Sequence, residues 1–518
     1  MNITRAISAF FLIITFVNAK AQLTQTSRYE KDKNFMEDNF IVISAKEKGI
    51  LLLRESDEKV ENERGNIWQV ISLDSELNEV WDNKIVVEYK YLILGYDYFD
   101  GNLYLLFGEE FGSKKNVFKI IKIAKKEGTY EQFEISTELY LQPTHLLIND
   151  DQLVLGGEIN SRLTFVLFKY KEDKVTVVPG FFNKKSIILD ANYNKKHQAY
   201  NLLLAEKNAA NRNELTIKSF NKEGKVFIDE RIEFEEEIRA INGKVHISDN
   251  MRVYFSGSFG GYKSYYSQGI YFGYLEGGKE PNLQFHNLTE FDHIFDYLPE
   301  KRAKKIRTKI DKGIAKGKPY EYKTQLWVQD FYDQEDNFVL LSDIYRPEYD
   351  KTLDASYPGV TIYDSKNETN QKYSQYTSGI TNVQDSEKIK YLEAVLMLFD
   401  HNGKLIADMS LPTPNAEMLE LDEFSSSYVS STNSSLIYKD ENEIRYTLYD
   451  ADFSVTYDSL QNINVFVEGD SPTRVTDNEG RVEKWYENHF FVWGYHRVSS
   501  KNDKNRNVFY INKITIEQ

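Results

Sequence analysis

Residues 90–137 read KYLILGYDYFDGNLYLLFGEEFGSKKNVFKIIKIAKKEGTYEQFEIST. Four apolar runs lie in this stretch: Tyr91–Tyr98, Leu103–Gly108, Val117–Ala124 and Tyr130–Ile135. The first two are parted by Phe99-Asp100-Gly101-Asn102, and the last two by Lys125-Lys126-Glu127-Gly128. Aromatic and β-branched residues suit a pleated, half-buried surface. Gly and Asp supply the backbone conformations that tight turns need. Short runs bounded by such turns read as strands, and four strands in about 45–50 residues is the size of a propeller blade.

The same pattern recurs on both sides. Upstream lie Ile50–Leu53, Ile67–Leu73, a turn at Asp74–Leu77, and Glu79–Val87. Downstream, the turn before the last run returns at Asn221-Lys222-Glu223-Gly224 and Asp400-His401-Asn402-Gly403, and in weaker form at Lys171–Lys174, Glu276–Lys279 and Asp450–Phe453. Counting by these turns divides the chain into units 39–89, 90–137, 138–181, 182–235, 236–290, 319–417, 418–468 and 469–518. The last unit shows three runs, and Thr24–Lys31 is a strand able to complete it and close the ring. The expected fold is therefore all-β, a β-propeller of about eight four-stranded blades. Seven blades and two packed β domains are the alternatives. A membrane barrel fits poorly, because its strands alternate apolar and polar residues, whereas Ala394–Phe399 is continuously apolar.

The N-terminus reads as an export signal. Arg5 is followed by an apolar run, Ile7–Val17, and by Ala19-Lys20-Ala21, an A-x-A cleavage pattern. The expected organisation is a signal peptide at 1–21, blades 1–5 over 22–290, a basic helical insertion at 291–318, and blades 6–8 over 319–518. A polar loop insertion falls at 346–388. The expected address is periplasmic, cell-surface or extracellular.

Composition limits the function. The chain has 518 residues, 80 Asp and Glu against 64 Lys and Arg, and a net charge of -16. Such a surface repels phosphate backbones, so nucleic acid is not an expected partner. The absence of cysteine removes thiol chemistry and Cys-zinc sites. The histidines, His145, His197, His246, His286, His293, His401, His489 and His496, show neither H-E-x-x-H nor H-x-H spacing. No phosphate loop, nucleophile elbow or dinucleotide fingerprint is present. No cofactor, metal ligand or catalytic residue is expected from these patterns.

Two surfaces stand out. In 301–318 nine of 18 positions are basic, and Ile306, Ile310 and Ile314 form one helical stripe. Lys301, Arg302, Lys304, Lys305, Arg307 and Lys309 would face an anionic partner, anionic lipid included; alternatively the helix lies solvated over acidic surface of its own chain. The second is Tyr262, Tyr265 and Tyr266, an aromatic surface able to bind sugars or peptides, or else cross-strand packing.

At Ser72–Lys84, SLDSELNEVWDNK, the chain resembles the quinoprotein-type propeller repeat, in which an Asp-x-x-x-Gly turn precedes a Trp. Asp74 and Trp81 match; the Gly is absent, and the Trp is not repeated in the other units. The resemblance supports a propeller and does not support quinone-cofactor catalysis. Across about 120 residues, the basic helix, Gln325–Asp330, Asn337–Leu341, Tyr345–Tyr349 and Phe399–Gly403 resemble a group of exported proteins of Gram-negative bacteria with no assigned activity. The reading that follows is an exported, non-catalytic binding or scaffold protein. It would engage an envelope protein or glycan through propeller faces and insertions. The alternative is a polysaccharide- or ester-acting enzyme with its site at the channel mouth.

Overall fold

The computed structural model describes residues 23–33, 39–58, 65–348 and 388–517, apart from 110–115, 139, 150, 182–185, 211, 236, 263, 278, 335–336, 415, 419–420, 478 and 501–504. The expected signal peptide and most of the expected loop insertion lie outside these residues.

Eight antiparallel sheets stand in a ring. Blade 1 comprises Ile41–Ser44, Ile50–Ser56, Gly65–Leu73 and Glu79–Glu88; blade 2 comprises Tyr91–Phe99, Asn102–Glu109, Asn116–Ala124 and Tyr130–Thr137. The first, inner strands of blades 3 to 7 are Gln142–Ile148, Ile187–Asn194, the pair Ile238–Ala240 and Lys244–Ile247, Gln325–Gln334, and Ser425–Val429. In blade 8, Asp470–Asp477 and Val482–Tyr486 pair with His489–Ser500, which pairs with Arg506–Ile516. The outer strand of that blade is Leu23–Asp32, from the other end of the chain, in register from Leu23↔Ile516 to Asp32↔Val508. The expected eight-bladed ring and its closure by an N-terminal strand are both observed.

Apolar burial is distributed over the seams. The eight hydrophobic clusters each join one adjacent pair of blades, so every sheet is covered on both faces. Strands buried on both faces explain the continuous apolar runs.

The recurring turn has a physical basis. Asp74, Asn221, Asp400 and Asp450 each accept, through Oδ1, the N–H groups two and four residues on. The residue three positions on then takes positive φ: Gly224 at 78° and Gly403 at 88°, but also Leu77 at 65° and Phe453 at 61°. Leu77 is buried against blades 8 and 1, so packing holds the left-handed conformation without a glycine.

The helix α1, Glu300–Ala315, joins blades 5 and 6 and is the one helix longer than a single turn among the described residues. Ile306 and Ile310 are buried against Leu288, Phe291, Ile294, Phe295 and Leu298.

Asp400→Ala removes one acceptor serving two turn N–H groups. It should lower unfolding stability by about 1 kcal/mol, the usual worth of such a capping side chain. Gly403→Ala forces a Cβ into the left-handed region, 2.8 Å from Phe272 Cδ1. It should cost about 1–2 kcal/mol, with both losses read from denaturant titration at unchanged m-value.

Candidate functional site: the polar channel

The inner strands line the channel, and most carry a defect. Pairing to the second strand slips between Ile93 and Gly95, Pro143 and His145, Ile188 and Asp190, Val328 and Asp330, and Lys484 and Tyr486. In blade 5 the inner strand breaks between Ala240 and Lys244. A bulge leaves one residue outside the ladder and re-aims its side chain. Here several reach sideways into the next blade. Asn242 donates to Leu326 O at 2.7 Å, Gln329 donates to Ser425 Oγ at 3.0 Å, and Trp485 Nε1 donates to Gly49 O at 3.2 Å.

Blades 2 and 4 meet across the end of blade 3. Phe99 and Tyr193 pack edge to face with centroids 5.7 Å apart, and Lys195 Nζ lies 2.6 Å from Asp100 Oδ1. Beside this arch is a chamber of about 320 Å³, lined by Asp97, Phe99, Leu147, Ile148, Asp190, Ala191, Asn192, Tyr193 and Lys244. That volume stands at the lower end of small-molecule sites, roughly 300–1,000 Å³. Asp190 is buried; its Oδ2 accepts from Val245 N at 3.0 Å and Asn192 Nδ2 at 3.1 Å, and Lys244 Nζ is 3.8 Å from its Oδ1. Burial pushes the Asp190 carboxyl above its ordinary range, against the pull of Lys244 and these hydrogen bonds.

Lys244 is the charge that several blades share. It acts on Asp190 of blade 4, on His145 of blade 3, and on Glu423 before blade 7. Burial, with Lys244 beside it, lowers His145 to about 4, so the imidazole is neutral. Its Nδ1 lies 2.9 Å from Thr144 Oγ1, and its Nε2 is buried without a hydrogen-bond partner.

A second cation faces the same channel. Arg481 pairs with Asp422 and, through Nε at 3.0 Å, with Glu483 Oε1, which also accepts from Trp493 Nε1 at 2.9 Å. Burial works against the Arg481 charge, but Asp422, Glu483 and Glu423 outweigh it and hold the guanidinium ionised. Glu423 is exposed within the polar space, and the protein surrounding it pushes its carboxyl up to about 7; Asp422 and Glu483 add to the rise, and Arg481 and Lys244 oppose it. The Tyr96 phenol of blade 2 is raised by the same burial and feels Arg481, Asp422, Glu483 and Glu423. Groups from blades 2, 3, 4, 5 and 8 and from the segment leading into blade 7 thus share one polar space. Among the described residues no three acidic or histidine groups form a metal-binding cluster.

None of these residues was singled out by sequence. The surfaces that were singled out lie elsewhere. Tyr262 accepts from Lys207 Nζ at 2.8 Å, Tyr265 packs beneath Arg239, and Tyr266 is exposed, all in the connection between the second and third strands of blade 5. Lys301, Arg302, Lys304, Lys305 and Lys309 are exposed on α1. Lys309 stands over Tyr320, whereas Arg307 turns back to donate to Phe291 O at 2.8 Å and to Asp292 O.

No protein-family model and no curated protein matches the chain. Among solved structures, the chain is similar over 92% of its length to the polysaccharide lyase Uly1, covering 99% of that chain at 8% identity and a TM-score of 0.37. Prolyl oligopeptidase B from Galerina marginata matches 93% of this chain at 8% identity and a TM-score of 0.38; the chain spans 56% of that protein. The β-propeller domain of the Trilobed protease from Pyrococcus furiosus matches 81% of this chain, covering 95% of that chain, at 8% identity and a TM-score of 0.34.

One buried carboxyl supplies a test of the interior. Asp343 Oδ1 accepts from Ser425 Oγ at 2.7 Å and Oδ2 from Gln329, and burial lifts it to about 7. The unfolded chain loses this proton near pH 3.8 and the folded chain near 7. The unfolded state therefore binds fewer protons between those values, and this group's contribution falls as pH rises through the window, by at most about 1.4 kcal/mol per pH unit. Asp343→Asn should remove that slope, so that the mutant gains on the wild type between pH 4 and 7 and by a constant amount above it. Denaturant titrations across pH check this; a difference that shrinks as pH rises would contradict it.

Proposed function

We propose that the chain is an exported, non-catalytic binding protein that holds a hydroxyl-rich envelope glycan at the channel chamber. The observation that carries this reading is the mixed lining of that chamber. Asp97 and Asp190 offer carboxylate acceptors, and Lys244 offers an ammonium. Phe99, Tyr193, Leu147 and Ile148 offer apolar faces. A sugar ring presents hydroxyls at its rim and C–H groups on its faces, so it uses both halves of such a lining. Sites of this kind are mostly apolar with a few convergent polar groups that fix orientation. The bulged strands fix those groups before a ligand arrives, which limits the ordering cost of binding.

Calorimetric titration of the full chain with envelope glycan fragments tests the reading. Lys244→Gln and Asp190→Asn should each weaken binding about tenfold or more, the loss of one charge-assisted hydrogen bond. Absence of glycan binding by the wild type, or equal affinity in both variants, would refute it.

One observation favours a second reading, a polysaccharide- or ester-acting enzyme. The protein around Glu423 pushes its carboxyl up to about 7, and Arg481 and Tyr96 act in the same space; a carboxyl matched to neutral pH suits general acid–base work. On that reading Glu423→Gln should lower turnover of the cleaved substrate about 100-fold or more while leaving ligand affinity near the wild-type value. Glycan binding without cleavage by the wild type would discard this second reading.

A further inference from the structure

The helix α1 carries two features that its fold does not use. First, Lys301, Arg302, Lys304, Lys305, Lys312 and Lys316 are exposed, and none forms an ion pair with a described residue. The sole acidic side chain within 301–318, Asp311, is exposed and likewise unpaired among the described residues. The positive charge of these six side chains is therefore not neutralised by ion pairs with the described residues.

Second, the apolar stripe overruns its support. Ile306 and Ile310 are buried at 7% exposure each, whereas Ile314, one turn further, is 68% exposed. It is the most exposed large apolar residue among those described, and it stands in the last turn of the helix, with Lys312, Lys316 and Lys318 within four residues of it along the chain. A solvated helix end gains nothing from an isoleucine at that position. An exposed apolar side chain at a lysine-rich helix end suits a bilayer surface, where an apolar group enters the acyl boundary and ammonium groups on long stems reach lipid phosphates.

The underside of α1 is firmly held. Arg307 stacks over Phe295 with its Cζ 4.5 Å from the centroid, and donates to the carbonyls of Phe291 and Asp292. Asp408 of blade 6 accepts from the N–H groups of Asp292 at 2.9 Å and His293 at 2.7 Å. The helix is thus presented as a rigid element, with its lysines and the Ile314 side chain exposed.

We infer that α1 seats the protein on an anionic bilayer surface, its lysines against lipid phosphates and Ile314 in the interfacial layer. The chain's net charge of -16 then orients it, because the acidic remainder is repelled by the surface that attracts α1. This contact is separate from the channel chamber and does not depend on what the chamber binds.

Co-sedimentation of the full chain with vesicles tests it, using phosphatidylglycerol mixed with phosphatidylcholine, and phosphatidylcholine alone. The wild type should bind the anionic vesicles, release them as salt rises, and leave the neutral ones in the supernatant. The triple variant K304E/K305E/K312E should lower partitioning at least about tenfold, since each basic residue near such a surface contributes appreciably. All three positions are exposed, and an unchanged melting temperature confirms that the variant folds. Ile314→Ser separates a bilayer from a soluble polyanion: it should weaken vesicle binding several-fold and leave retention on heparin unchanged. Absence of binding to anionic vesicles, equal binding to neutral vesicles, or indifference to the lysine reversals would overturn the inference. So would vesicle binding that Ile314→Ser leaves intact, which would assign α1 to a soluble acidic partner instead.

Discussion

The ring rests on one ladder, that between Leu23–Asp32 and Arg506–Ile516. Without it, blade 8 would present a strand edge with unpaired N–H and C=O groups, a template for intermolecular pairing. Joining residues 491 positions apart is not prohibitive, because loop-closure entropy grows only with the logarithm of length. The strand also fastens three blades at once. Tyr29 donates to Glu79 and Lys31 to Asp82 in blade 1, while Gln25 donates to Asn462 O of blade 7. Within blade 8, Arg506 reaches Glu30, Asp32 and Asp470, and Arg28 lies over Tyr510. Closure therefore fixes the spacing of all eight inner strands, and with it the shape of the channel.

Inside a closed ring, an inner strand has two claims on its side chains. One face must reach neighbouring blades to seal the seams, and the other meets the channel. A strict two-residue period cannot serve a seam with an extra side chain without a break in register. The bulges provide that break, and they place Asn242, Gln329 and Trp485 as clasps to the following blade. Beyond the slips come His145, Asp190 and Asp330, and beyond the break in blade 5 comes Lys244. The same irregularity that seals the seams thus delivers polar groups toward the centre.

Much of this architecture was legible in the sequence because it is local. An Asp or Asn accepting two N–H groups of its own turn needs only four neighbouring residues, so the motif at Asn221 and Asp400 could be read directly. The helix was legible from the spacing of Ile306, Ile310 and Ile314, and the closing strand from the missing fourth run of the last unit. Leu77 and Phe453 made their turns harder to read, since tertiary packing supplies there the conformation that glycine supplies elsewhere. Trp81 shows why one expected repeat feature occurs once: its Nε1 donates to Lys125 O at 2.8 Å, a clasp particular to the seam of blades 1 and 2. The channel was not legible at all. Tyr96, His145, Asp190, Lys244, Glu423 and Arg481 stand in five blades and a connecting segment, and no spacing along the chain encodes their meeting. The local signal they leave, a charged or polar residue inside an otherwise apolar strand, is shared by Lys119 and Lys218, which instead pair with Glu88 of the preceding blade and Asp229 of the adjoining strand.

The two sets of cations differ in what surrounds them. Arg481 stands between Asp422 and Glu483, and Lys244 beside Asp190, so each channel cation is largely compensated where it sits. A compensated group exerts little field at a distance and selects a ligand by hydrogen-bond geometry at contact. The lysines of α1 lack such partners among the described residues, so their field extends over about a Debye length, roughly 8–10 Å at physiological salt. On the proposed reading, an overall acidic molecule is drawn to a negative surface by one face while its compensated channel admits an uncharged, hydroxyl-rich ligand. If both proposals hold, attraction outside the ring and discrimination inside it do not compete for the same residues.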